Sequence, residues 1–175
     1  MANRYGCCRY GWNNFIPYQM ILALDIATKT GWKTKNASGT WDLKPNRGES
    51  DGMRILRFRA KVAEICELEQ IKVIAFERPA GMHKASIMVA SELVGALKVL
   101  AIEKGIEVAC YSATEIKKDA TGKGNSGKPE MIQAAIDLGY NPKDDNEADA
   151  IHLYHLACKD LGINDNPKQN SSGQA

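Results

Sequence analysis

Hydrophobic positions along the chain fall into runs of two kinds. Residues 21–24 and 71–76 are nearly unbroken apolar segments bounded by turn formers, and both read as buried strands. Each ends on a carboxylate, Asp25 in the first and Glu77 in the second. Between them, residues 28–31 read as a turn. Residues 32–35 and 40–43 then flank Asn36-Ala37-Ser38-Gly39, a hairpin signal, so three consecutive antiparallel strands are expected. The other kind of run has helical period. Ile55, Leu56, Val62, Ile65, Cys66 and Leu68 recur at helical spacing and predict a helix over 53–70. An apolar strand directly after a helix predicts a parallel partner for the first strand.

Residues 85–104 form a long helix whose apolar side chains occupy more than one stripe. Such a helix must be covered on two sides. The sheet supplies one cover. A second copy of the chain supplies the other, which predicts a homodimer through this helix; residues 1–19 are the alternative cover. Residues 106–111 predict a fifth strand. Ser112-Ala113-Thr114-Glu115 is a capping box that opens a helix running to about residue 119. A glycine loop at 121–127 reads as flexible, and Lys128 or Pro129 opens the next helix, which ends before Gly139. The last helix spans 145–161 and stops at Gly162.

This order predicts an α/β fold: a five-stranded mixed sheet, three antiparallel strands and then parallel ones, covered by helices on both faces. Right-handed crossovers favour the first and fourth strands as neighbours, which would set Asp25 beside Glu77. The expected organisation is an N-terminal extension over 1–19, one domain over 20–161 and a disordered polar tail over 162–175. The extension mixes Arg4 and Arg9 with Tyr5, Tyr10 and Trp12, so it either packs on the surface or stacks on bases.

Composition narrows the class only modestly. The chain has 175 residues and a formal net charge of +2, so bulk charge does not mark a nucleic-acid binder. The five cysteines lack finger spacing and argue against a zinc site or a secreted disulfide framework. No apolar run reads as long enough to span a bilayer, and no signal-peptide pattern opens the chain. A soluble cytoplasmic protein with no membrane partner is expected.

The candidate chemistry lies in acids placed where acids are costly. An ionised carboxylate in a buried strand needs a partner, and a cation supplies one. Asp25, Glu77 and Asp149 come from three separate elements, and Asp145 shares a helix face with Asp149. Such a set suits two hard divalent ions about 4 Å apart, acting on a phosphodiester. Asp144 and Asp145 also suit helix capping, whereas Asp149 lies past the first turn. Glu147 is expected to be solvated. His152, three residues after Asp149, could reach the same site or be a core residue. Lys117, Lys118, Lys123 and Lys128 cluster around the glycine loop and suit a phosphate backbone. The segment 122–128 lacks the full nucleotide-loop pattern, because Pro129 follows the lysine.

Four blocks, 21–31, 73–79, 111–128 and 144–156, resemble the RuvC-type Holliday junction resolvases of the RNase H-like/integrase superfamily, especially their short phage-type relatives. The most specific is Tyr111-Ser112-Ala113-Thr114-Glu115-Ile116-Lys117, then the glycine loop and Lys128. The resemblance implies an RNase H-like fold and a homodimeric, Mg²⁺-dependent endonuclease, with Mn²⁺ as a substitute and two ions per site, that nicks four-way DNA junctions symmetrically. It implies catalytic and metal-ligating roles for Asp25, Glu77 and Asp149, with Asp145 as a further ligand. Lys128 would act in catalysis and DNA binding, and Lys117, Lys118, Lys123 and Arg78 would contact DNA. Three positions depart from the family pattern. Asn146 stands where an acid or histidine is usual, so Asp145, Asn146 or His152 completes the site. Ala80 replaces a strand-separating aromatic, with Met82 or His83 as substitutes. Ala27 replaces a common glycine. The alternatives are a broader branched-DNA debranching nuclease, a catalytically weak junction-binding protein, and an actin-like ATPase lobe.

Overall fold

The computed structural model of the chain describes residues 20–81 and 83–163. Residues 1–19, Met82 and 164–175 lie outside the described set, and with them the expected extension, nearly all of the expected tail, and one proposed substitute for the missing aromatic. Five strands, β1 (Ile21–Asp25), β2 (Lys29–Lys33), β3 (Ser38–Asp42), β4 (Val73–Glu77) and β5 (Glu107–Tyr111), form one sheet in the order β3-β2-β1-β4-β5. The β1–β2 and β2–β3 pairs are antiparallel, and the β1–β4 and β4–β5 pairs are parallel. Five helices complete the described fold: α1 (Gly52–Leu68), α2 (Lys84–Lys104), α3 (Ala113–Thr121), α4 (Lys128–Asp137) and α5 (Asp145–Asp160). The expected mixed sheet and its helical layers are both present.

The alternation of a strand sorts the core into two layers. Leu22, Leu24, Ile74 and Phe76 face α1 and α2, where they meet Phe58, Val62, Leu93 and Leu97. Ile21, Ala23, Val73 and Ala75 face the opposite way, against Ile116 of α3, Met131 of α4 and Leu153, Tyr154 and Ala157 of α5. Continuing each series by two places Asp25 with Ile21 and Ala23, and Glu77 with Val73 and Ala75. Both carboxylates therefore belong to the α3–α5 face. Leu24 is registered with Phe76, so Asp25 and Glu77 come one step later, level with each other at the ends of two central parallel strands.

Several expectations change. β2 starts at Lys29, inside the stretch expected to turn. The turn is tighter than anticipated, because the Thr30 hydroxyl donates to the Ala27 carbonyl at 2.6 Å and closes it within three residues. The run Lys84–Lys104 does have the length and composition of a membrane span, contrary to the sequence reading. Its apolar character serves the core instead: Ala90, Leu93, Val94, Leu97, Leu100 and Ala101 are buried. Its outer side stays apolar and uncovered within the described residues, with Met88, Val99 and Ile102 all at least half exposed. The glycine loop, expected to be flexible, is bonded internally. The Thr121 and Ser126 hydroxyls lie 2.5 Å apart, Ser126 donates to the Lys123 carbonyl at 3.1 Å, and the Lys123 amide donates to Thr121 Oγ1.

Candidate active site

Four carboxylates meet at the ends of β1 and β4. Asp25 and Glu77 arrive on the strands, and Asp145 and Asp149 arrive from the first two turns of α5. Their charges act on one another. Desolvation raises the Asp25 carboxyl well above the ordinary carboxylate range, and the charges of Glu77, Asp149 and Asp145 raise it further. Desolvation, with Asp149, lifts Glu77 to about 7. Desolvation, with Asp145, lifts Asp149 to about 6. Two lysines oppose this. Lys117 of α3 lowers both Glu77 and Asp149, and Lys128 at the start of α4 lowers Asp25 and Asp149. The Lys128 ammonium pairs directly with Asp145, and that hydrogen bond raises its own pKa.

The start of α5 is held in place by its own cap and by two side chains of β3. Asp144 caps the helix by accepting the Glu147 amide at 2.9 Å, as expected. The same carboxylate oxygen accepts the Thr40 hydroxyl of β3 at 2.8 Å. Desolvation works upward on Asp144, but these two bonds and the charge of Lys29 outweigh it and leave the carboxyl below its usual value. Glu147 was expected in solvent. It is instead 4% exposed and accepts Ser38 Oγ at 2.6 Å and the Lys143 amide at 2.9 Å. Residues 144 and 147 share one side of the helix, and that side faces the edge strand, so Glu147 is a latch.

Close backbone contact completes the arrangement. A Cβ at Gly31 would lie 1.9 Å from the Asn146 carbonyl oxygen, so only glycine lets α5 come this near the sheet. Gly31 is the registered partner of Asp25. The residue that admits α5 is thus directly across from the acid that α5 must meet.

The remaining candidates divide. His152 does not face the acids: it is buried and its Nε2 bonds the Met131 carbonyl at 2.8 Å, which assigns the proton to that nitrogen. Burial lowers its pKa, so it is a neutral core residue and leaves the choice between Asp145 and Asn146. The Asn146 side chain helps to hold the Asp144 carboxyl below its usual value. Lys118, Lys123 and Arg78 are exposed. Arg78 is tied to β5 through its amide, which donates to the Tyr111 carbonyl at 2.8 Å. The lysine-bearing loop packs tightly on α3, where a Cβ at Gly124 would meet Thr114 Cγ2 at 2.7 Å.

The donor set suits a hard divalent cation: all-oxygen, anionic, partly desolvated, and mutually repelling unless neutralised. Among the described residues, no three His, Cys, Asp or Glu side chains are already gathered into a cage. The carboxylates surround a common space without closing on it, and Lys128 is the cation that Asp145 holds.

A β3-β2-β1-β4-β5 sheet with acids at the ends of its central strands and on a helix packed across them defines an RNase H-like fold. The family model for "Crossover junction endodeoxyribonuclease RuvC" matches residues 44–155, and the chain belongs to the RuvC family. A RuvC crossover junction endodeoxyribonuclease of Corynebacterium glutamicum is 34% identical over 109 residues, covering 60% of this chain and 49% of the relative. One from Anaeromyxobacter is 34% identical over 110 residues, with 61% and 50% covered. The chain spans about half the length of these curated relatives. Thermus thermophilus RuvC, solved with a Holliday junction substrate, superposes with a TM-score of 0.65 at 20% identity, covering 79% of this chain and 92% of that one. The yeast mitochondrial Holliday junction resolvase Ydc2 superposes at 0.60, with 11% identity and 90% and 84% covered. The family match includes Glu77, Lys117, Lys128, Asp145 and Asp149 but begins after Asp25, whose place is given by the sheet.

Proposed function

We propose that the chain is a metal-dependent, structure-selective endonuclease that resolves four-way DNA junctions by paired symmetric nicks. The observation that carries this reading is the convergence of Asp25, Glu77, Asp145 and Asp149, flanked by Lys117 and Lys128. Relatives named as crossover junction endodeoxyribonucleases, and a fold neighbour solved on a Holliday junction, support the choice of substrate. The family is divalent-metal dependent. Asp25, Glu77, Asp149 and Asp145 are the residues that would hold two Mg²⁺ ions, or Mn²⁺ in their place, and those ions would supply an activated water and charge at the leaving oxygen.

The chain's own groups do the rest. The four acids position the scissile phosphate by what they bind. Lys117 and Lys128 offset its negative charge as it grows. Lys118, Lys123 and Arg78 contact the flanking backbone without reading sequence. Paired nicks require two sites, and the exposed Met88, Val99 and Ile102 on α2 favour a homodimer through this helix. The catalytic unit is the domain over 20–161, with residues 1–19 as an extension and a cytoplasmic location.

The test is nicking of a synthetic four-way junction in Mg²⁺, with linear duplex as control, comparing wild type and Glu77→Gln. Paired nicks on the junction, absent in the variant and in EDTA, are the expected result. Equal cutting of flaps, forks and duplex would replace junction resolution with general debranching. Tight binding with no cut would leave a junction-binding protein. ATP turnover without nicking would point to the actin-like alternative.

A further inference from the structure

Beside the four acids lies a cleft that none of the roles above uses. Its volume is about 390 Å³, and its walls come from four places in the chain: Thr28 and Lys29 where β1 turns into β2, Ser86 in the first turn of α2, Lys128, and Asp145 with Asn146 at the start of α5. Asp145 and Lys128 also belong to the acid site, so the two spaces are continuous. A ligand held at the acids would have the cleft beside it.

The walls are rich in donors. Lys29 and Lys128 bring ammonium groups, Thr28 and Ser86 bring hydroxyls, and Asn146 brings an amide. The acids on this side are already engaged: Asp144 accepts from Thr40 and the Glu147 amide, and Asp145 holds Lys128. Lys29 is exposed, and within the described residues no carboxylate pairs with it; it acts on Asp144 only as a nearby charge. A donor-rich cleft with an uncommitted cation suits a ligand that is anionic and rich in acceptors. Its size falls near the lower end of the ~300–1,000 Å³ range of small-molecule sites. One nucleotide unit fits such a space, whereas a duplex does not.

We propose that this cleft is a flanking-nucleotide subsite: it takes the sugar–phosphate unit next to the cut bond, with Lys29 on the phosphate of that unit. This rests on the nuclease reading above and adds a strand path to it. The substrate strand runs past the acids as a single unpaired strand, and Lys29 and Ser86 fix its register.

Methylphosphonate substitution, which removes one phosphate charge at a time, tests the contact. Wild type is used first to map the cut on a four-way junction. Glu77→Gln and the Glu77→Gln/Lys29→Ala double variant then bind the junction in Ca²⁺, with all phosphates intact or with one methylphosphonate at either phosphate flanking the cut. Losing Lys29 should weaken binding to intact DNA about tenfold, the scale of one charge-assisted hydrogen bond. It should also lower the salt slope by about 1. The loss should vanish when the methylphosphonate occupies one of the two flanking positions, and Lys29→Arg should restore most of the affinity. The same loss on every DNA, or no loss, would overturn the subsite while leaving the nuclease reading intact. Absence of any cut by wild type would overturn both.

Discussion

The acid site has two halves, and they are built by different means. Asp25 and Glu77 sit on the central strands, where the β1–β4 ladder and two apolar layers fix them. Asp145 and Asp149 ride on the start of α5, which no ladder holds. Beyond the core packing of α5, their position is set by two side-chain bonds to β3, Ser38 to Glu147 and Thr40 to Asp144, and by the absence of a side chain at Gly31. The strand half is anchored by the ladder itself, whereas the helix half is packed on the sheet through Leu153, Tyr154 and Ala157 and has its first turn set by three particular residues. Substitutions should therefore separate chemistry from placement.

The largest effect is expected in the strand half. Asp25→Asn or Glu77→Gln removes a buried charge together with a proposed ligand. Junction nicking should fall by about a thousandfold or more, since a metal ligand's share of transition-state stabilisation is several kcal/mol and each 1.36 kcal/mol is tenfold. The same variants should melt at equal or higher temperature than wild type in EDTA, because an uncompensated buried charge is gone. A loss of nicking accompanied by a lower melting temperature would show that these acids hold the fold together.

Gly31→Ala tests the helix half. The added Cβ collides with the Asn146 backbone, so α5 must shift. Overpacking of this kind costs about 1–3 kcal/mol, read as a lower denaturant midpoint. Nicking should fall about 10- to 100-fold, although Gly31 has no proposed contact with DNA. Unchanged nicking would mean that the acids on α5 tolerate displacement and that the two halves are not distinct.

Smaller losses are expected from the latches. Ser38→Ala leaves the buried Glu147 without its hydroxyl donor and should cost about 1–3 kcal/mol. Thr40→Val spares the cap bond that the Glu147 amide donates to Asp144 and should cost about 1 kcal/mol. If the latches serve placement, nicking in both should recover as Mg²⁺ is raised, because a bound cation draws the acids together. Losses that excess Mg²⁺ does not relieve would make the latches purely structural.

The same division decides what could be read in the sequence. Both apolar strands announce themselves by unbroken runs, and each acid is visible because it interrupts or ends such a run. Strand order follows from chain order and crossover handedness, so the meeting of Asp25 and Glu77 was legible. The latches were not. Ser38 and Thr40 lie in an ordinary hairpin, and their partners are more than 100 residues away. Glu147 resembles any acid in a first helical turn, so solvation was the natural expectation until the β3 contact appeared. Gly31 read as a turn residue because glycine does not distinguish a turn from a close approach. His152 was ambiguous for a similar reason: helical spacing from Asp149 says which residues share a face, and does not say that Met131 waits for the imidazole.

The smallest effect lies in proton linkage, which samples both halves at once. Burial and mutual repulsion raise Asp25, Glu77 and Asp149 in the folded protein, Glu77 to about 7 and Asp149 to about 6. Their unfolded values are near 4. Between about pH 4 and 7 the folded state thus binds more protons than the unfolded state, so metal-free stability should fall as pH rises through this window. A divalent cation reverses the trend, because it replaces the protons as the neutralising charge and must displace them to bind. The gain in melting temperature from Mg²⁺ should therefore be larger at pH 8 than at pH 5.5, and Asp25→Asn should flatten the difference. Gly31→Ala should lower stability at both pH values yet keep part of this pH-dependent gain, since it moves two of the acids and removes none. An equal gain at both pH values in the wild type would mean that the cation binds away from these carboxylates, and the comparison between the halves would lose its chemical basis.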